Sequence, residues 1–135
     1  MKNTVLLIGN LGADPETRNT RGETTITTLS MGTSRPKRDS EGKVMKDAAT
    51  GYTVQDTEWH RITCFNGLGK TVAEHATKGM LIGVRGRLHY SKWTDKDGVE
   101  RYGCEIIAEE VQFLSRGKSA AKPQGDLELD DDVPF

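Results

Sequence analysis

Between Met80 and Tyr90 the residues sort by parity: Met80, Ile82, Val84, Leu88 and Tyr90 share one phase, interrupted by Gly86, while Arg85, Arg87 and His89 share the other. Side chains of an extended chain point alternately to opposite faces, so this stretch predicts a half-buried strand, apolar on one face and basic on the other. Four further apolar and β-branched runs occur at Thr4 to Leu11, Thr24 to Gly32, Trp59 to Phe65 and Tyr102 to Leu114. Asp97-Gly98 supplies residue types that tolerate positive φ in a hairpin turn. Helical spacing occurs once, where Leu68, Val72 and Ala76 recur four apart, predicting a helix from about Leu68 to Lys78 that Gly79 ends.

Five strands with one short helix between the third and fourth is the order of an all-β, five-stranded OB-fold barrel, a small closed sheet. At 135 residues the chain has the length of one domain. No run approaches the roughly 18 apolar residues of a membrane span, and Val5 to Ile8 is too short for a secretory signal, so no membrane role and a cytoplasmic location are expected. Cys64 and Cys104 lack any Cys-x-x-Cys spacing and are expected to be reduced, buried packing residues.

The formal net charge of −1 hides an asymmetry. Residues 126–135 hold five acids and no base, leaving 19 bases against 15 acids in residues 1–125. An acidic tail on a basic module is the pattern. The segment SRGKSAAKPQG, residues 115–125, reads as a short flexible linker reaching about 20 Å as a coil. Three segments follow: a folded domain over 1–114, the linker over 115–125, and a disordered acidic tip over 126–135.

In Trp59-His60-Arg61-Ile62-Thr63-Cys64-Phe65, strand parity sends Trp59, Arg61, Thr63 and Phe65 to one side and His60, Ile62 and Cys64 to the other. Planar rings beside a guanidinium are suited to stacking bases of a single strand while the cation neutralises phosphate. A ring that merely plugs a barrel end is the competing reading for Trp59 and Phe65. Lys92-Trp93-Thr94-Asp95-Lys96 sets a second tryptophan in a polar, lysine-flanked hairpin, where packing on the hairpin itself or on a neighbouring subunit competes with binding. Arg61, Arg85, Arg87 and Lys92 are backbone-contact candidates from parity and charge. The stretch from Thr33 to Asp56 reads as one long loop carrying Arg35, Lys37 and Arg38, further candidates for phosphate, with Tyr52 as an extra ring; a solvated loop is the alternative.

Catalytic patterns fail on spacing. Gly67-Leu68-Gly69-Lys70-Thr71 contains Gly-Lys-Thr, but a phosphate-binding loop needs a further glycine where Cys64 stands. His60, His75 and His89 lie on separate segments without metal-ligand spacing, so no metal, cofactor or enzymatic activity is expected. The ending Asp130-Asp131-Asp132-Val133-Pro134-Phe135 joins a negative run to an apolar ring, a compact ligand for a partner's pocket, with an acidic solubility tail that has no receptor as the competing reading.

These residues resemble the bacterial single-stranded DNA-binding proteins. The likeness rests on VLLIGNLGADPETR (Val5 to Arg18), on Thr57-Glu58-Trp59-His60-Arg61, on Gly86-Arg87-Leu88 leading to Lys92-Trp93-Thr94-Asp95, and on the Asp-Asp-Asp-Val-Pro-Phe ending. The resemblance implies an OB-fold homotetramer that wraps single-stranded DNA, in a nucleoid or in the host cytoplasm for a phage- or plasmid-encoded copy. It implies base stacking by Trp59, Phe65 and Trp93, a subunit contact near His60, and recruitment of replication, recombination and repair proteins through the tip. Three departures stand out: Lys37 where many members have tryptophan, a longer stretch from Arg38 to Asp56, and the short linker. An OB-fold adaptor of replication or translation machinery that binds RNA or protein is the alternative.

Overall fold

A computed structural model describes residues 1–115; the linker beyond Ser115 and the tip over 126–135 lie outside the described residues. The elements are β1 (Val5–Leu11), β2 (Glu16–Asn19), β3 (Thr25–Pro36), β4 (Gln55–Phe65), α1 (Asn66–His75), β5 (Leu81–Thr94) and β6 (Glu100–Phe113). Neighbouring strands run β1-β5-β6-β4-β3, and β1 pairs again with β3 through Asn10↔Gly32 and Leu11↔Met31, which closes a five-stranded barrel. The five expected strands are all present, with the helix between the third and fourth of them. β2 is an additional edge strand hydrogen-bonded to β3; its residues, Glu-Thr-Arg-Asn, are all exposed and give no apolar alternation to read.

Apolar parity builds the core. Leu29 and Met31 from β3, Ile62 and Cys64 from β4, Ile82 and Val84 from β5, and Ile106 and Ala108 from β6 point inward, and Val72 of α1 with Ala76 just after it closes one end. The helix stops at His75, earlier than its apolar spacing predicts, because Ala76 turns extended; Gly79, at φ 89°, instead closes the turn into β5. Burial pushes the Cys64 thiol up to about 11, keeping it protonated. Cys104 corrects the sequence reading: it is exposed, because it shares inward parity with Ile106 but sits where the β5–β6 ribbon has run past the barrel. Tyr90, paired with Cys104, is open for the same reason.

The long loop is also revised. β3 and β4 pair out to Pro36↔Gln55, and the remaining chain forms two small lobes instead of one open loop. Three backbone bonds knit their root: Lys37 N–H to Val54 C=O at 2.8 Å, Val54 N–H to Met45 C=O at 2.9 Å, and Met45 N–H to Lys37 C=O at 2.8 Å. Each lobe turns on an aspartate whose Oδ1 accepts two backbone N–H groups, Asp39 in one and Asp47 in the other, before a glycine at positive φ, Gly42 or Gly51.

A bulge sets the barrel's curvature. Arg85 faces Glu110 but Gly86 faces Ala108, so Glu109 is the extra residue of β6. A Cβ at Gly86 would stand 2.2 Å from the Ile107 carbonyl oxygen. Gly86→Ala is therefore expected to destabilise the fold by about 1–3 kcal/mol, as overpacking does. Urea unfolding checks this, and an unchanged midpoint would show that the strands part without strain.

Candidate nucleic-acid interface

The outward parity of β4 places Trp59, Arg61, Thr63 and Phe65 in a row, opposite Gly32, Ser30, Thr28 and Ile26 of β3. β6 adds Gly103 and Glu105, and the projecting β5–β6 ribbon brings Ser91 and Trp93 to the same side. Open depressions of about 330, 440 and 240 Å³ share Arg61 in their walls, with Trp59 in the first and third and Phe65 and Trp93 in the second. Trp59, Phe65, Trp93 and Arg61 thus line one continuous face.

Backbone without side chains is what seats the rings. A Cβ built on Gly12 or Gly32 would come within 2.6 or 2.9 Å of Trp59 Cζ3, and one on Gly103 within 2.9 Å of Trp93 Cζ3. Each indole therefore packs on bare backbone on one side, yet Trp59 stays 61% exposed and Trp93 50%. Phe65 is 37% exposed at the other end of the row. Neither tryptophan plugs the barrel, and Trp93 does rest on its own hairpin without being covered by it. Rings held on one face and open on the other can stack a planar ligand with little loss of rotamer freedom.

The charges are arranged less simply. Arg61 is exposed, with Nε 3.9 Å from Glu105 Oε1, and the Glu105 carboxylate also accepts the Thr63 hydroxyl. Arg85 is held by Glu109 and Glu110 at 3.0 and 3.1 Å. Lys92 alternates to the opposite face from Trp93, where its Nζ meets Glu100 at 3.1 Å and lies 5.8 Å over the Tyr102 ring. Arg87 is exposed on outward parity with no ion pair among the described residues. Arg35, Lys37 and Arg38 sit on or near the root of the two lobes, all exposed, and line none of the three depressions; Tyr52, 76% exposed, belongs to the second lobe. His60 turns from the ring row, its Nε2 2.8 Å from Thr33 Oγ1.

Two groups in the grooves escape a reading of the sequence. Arg18 lines the largest of these three depressions with Phe65 and Trp93, but it comes from β2, the strand without apolar alternation. Glu105 lines two of the depressions, and its only sequence signal is its outward parity two residues after Gly103. Asp95 organises the hairpin tip: Oδ1 accepts the N–H of Asp97 and Val99, and Oδ2 accepts Arg101 Nε at 2.8 Å. The Arg101 guanidinium, followed by these backbone bonds, holds the Asp95 carboxyl below its ordinary range, so the pair persists at neutral pH and is lost only as acid protonates it. Among the described residues no group of His, Cys, Asp and Glu is arranged to hold a metal ion, and no helix is long and apolar enough to cross a membrane.

If the glycines seat the indoles, Gly103→Val should lift the Trp93 ring off the ribbon. In a Trp59→Phe background its emission should move to the red and become more open to acrylamide. Unchanged emission and quenching would show that Gly103 does not position the ring.

The chain is similar to known proteins. Xylella fastidiosa (strain Temecula1) has a single-stranded DNA-binding protein 41% identical over 112 residues, covering 83% of this chain and 63% of that protein. The single-stranded DNA-binding protein 1 of Xylella fastidiosa (strain 9a5c) is 42% identical over 114 residues, covering 84% and 78%. The chain spans only about 60% of the length of several such relatives. In three dimensions it is similar to the protein of a Plasmodium falciparum SSB complex with ssDNA, with a TM-score of 0.71 and 26% identity over 85% of this chain and 96% of that one. Residues 2–114 match the single-strand binding protein family, and the chain belongs to it.

Proposed function

We propose that this protein binds single-stranded DNA without catalysis and with little regard to sequence, stacking bases on Trp59, Trp93 and Phe65. The observation that carries this reading is the pair of indoles seated on glycine backbone and open on their outer faces. Stacking on the rings and phosphate contact by the cations both contribute to affinity. Each stacked base contributes about 1–3 kcal/mol, whereas Arg61, Arg85 and Lys92 already face carboxylates and must exchange partners to meet phosphate. Exposed ion pairs of that kind are worth only about 0–1 kcal/mol, so the exchange is cheap and the cations supply orientation and salt dependence. Arg87, Arg35, Lys37 and Arg38 extend the phosphate track outward.

Titration with oligo-dT is expected to quench tryptophan emission, with affinity falling as salt rises. Trp59→Ala and Trp93→Ala should each weaken binding by about 1–3 kcal/mol. Unquenched emission from folded protein would contradict the reading.

Assembly and recruitment belong to the same proposal. The protein acts as a homotetramer in the cytoplasm, and the outer face of β1 supports self-association, since Leu6 and Ile8 are left 69% and 57% exposed there. Sedimentation should give about four times 14.9 kDa; Leu6→Lys with Ile8→Lys should reduce that mass, and an unchanged tetramer would place the contact elsewhere. His60, half-buried beside Thr33 and bordering two of the depressions, is the subunit-contact residue proposed. Asp130, Asp131, Asp132, Val133, Pro134 and Phe135 recruit replication, recombination and repair proteins. Deleting Pro134 and Phe135 should abolish partner capture and leave DNA binding intact or slightly tighter.

A further inference from the structure

We propose that Glu105 turns the bases of the bound strand, and not its phosphates, toward the floor of the groove. The inference rests on the single-stranded DNA reading above. A carboxylate in the middle of a surface meant for a polyanion needs a reason. Glu105 is no peripheral acid: its side chain is only 27% exposed, and it borders both the depression holding Trp59 and the one holding Phe65 and Trp93. It is also held in place, because the Thr63 hydroxyl of the neighbouring strand donates to Oε1.

Its pairing with Arg61 does not explain it away. At 3.9 Å from Nε the contact is loose, and the 65% exposed guanidinium keeps most of its donors for other partners. What the carboxylate can do is treat the two sides of a nucleotide differently. Every nucleobase carries at least one N–H on its pairing edge, so a base of any identity can turn a donor to Glu105. A phosphate at the same place meets a half-buried like charge, which screening weakens little. The strand therefore runs with phosphates toward Arg18 and Arg61 and bases across the indoles. Such a device orients without selecting sequence, as a stacking surface requires.

Glu105→Gln tests this, since glutamine keeps the shape and still accepts the Thr63 hydroxyl but cannot repel phosphate. Oligo-dT titrations at several salt concentrations are expected to show about 3- to 10-fold tighter binding at low salt, a log K against log salt slope steeper by about 0.7 as one more phosphate is neutralised, and weaker tryptophan quenching at saturation. Glu105→Asp keeps the charge and should retain the wild-type slope. Glu74→Gln, on the exposed face of α1, controls for a general loss of negative charge and should change none of the three. Wild-type slope and quenching in Glu105→Gln, or an equal effect from Glu74→Gln, would overturn the proposal. A wild-type protein that binds no oligo-dT would overturn the binding reading itself and this one with it.

Discussion

The working surface depends on one packing arrangement, a tryptophan ring resting on strand backbone that lacks a side chain. Gly12 and Gly32 lie under Trp59 and Gly103 under Trp93, and a single methyl at any of the three would meet an indole carbon at 2.9 Å or less. A ring packed on both faces contributes to the core, and a ring packed on neither swings freely. One packed face fixes the rotamer, so stacking a ligand on the other face loses little entropy. The tryptophans come from separate strands, so the barrel must hold β4 and the β5–β6 ribbon in fixed relation for the rings to act together.

That relation comes from closure and from the bulge. β4 and β6 meet in parallel at only two residue pairs, Ile62↔Ile106 and Thr63↔Ile107. Beyond that contact the ribbon leaves the barrel and carries Trp93 outward. On the other side of it, inside the barrel, the extra residue at Glu109 and the bare backbone at Gly86 let the sheet curve. Asp95 keeps the ribbon's tip closed through its bonds to Asp97, Val99 and Arg101.

Much of this is legible in the residues wherever one face is buried, because burial imposes a period. The row Trp59, Arg61, Thr63, Phe65 follows from parity alone, as do the inward Ile82 and Val84. Legibility ends where both faces are wet. β2 carries only exposed polar side chains, so neither the strand nor Arg18 on it announces itself. The two lobes between Pro36 and Gln55 are held by backbone bonds and aspartate-centred turns, which leave no apolar pattern. Cys104 has inward parity but no barrel left to be inside. Lys92 and Trp93 are neighbours in sequence and therefore on opposite faces of the ribbon, which makes the lysine a partner of Tyr102 and Glu100 instead of the indole. Parity tells which side a residue takes; it does not tell where the barrel ends.

Of the two arginines that line the grooves, Arg61 faces Glu105 while Arg18 has no ion pair among the described residues, so in the proposed binding mode a strand meets one free cation and one that exchanges partners. Photocrosslinking tests stacking most directly, because 5-iodo-deoxyuridine couples to an aromatic ring lying against it. Irradiation of the protein with an iodinated oligo-dT, followed by peptide mass spectrometry, should place adducts on Trp59, Trp93 or Phe65. Adducts confined to Tyr52, Tyr90 or Tyr102, with the three groove rings unmodified, would contradict it.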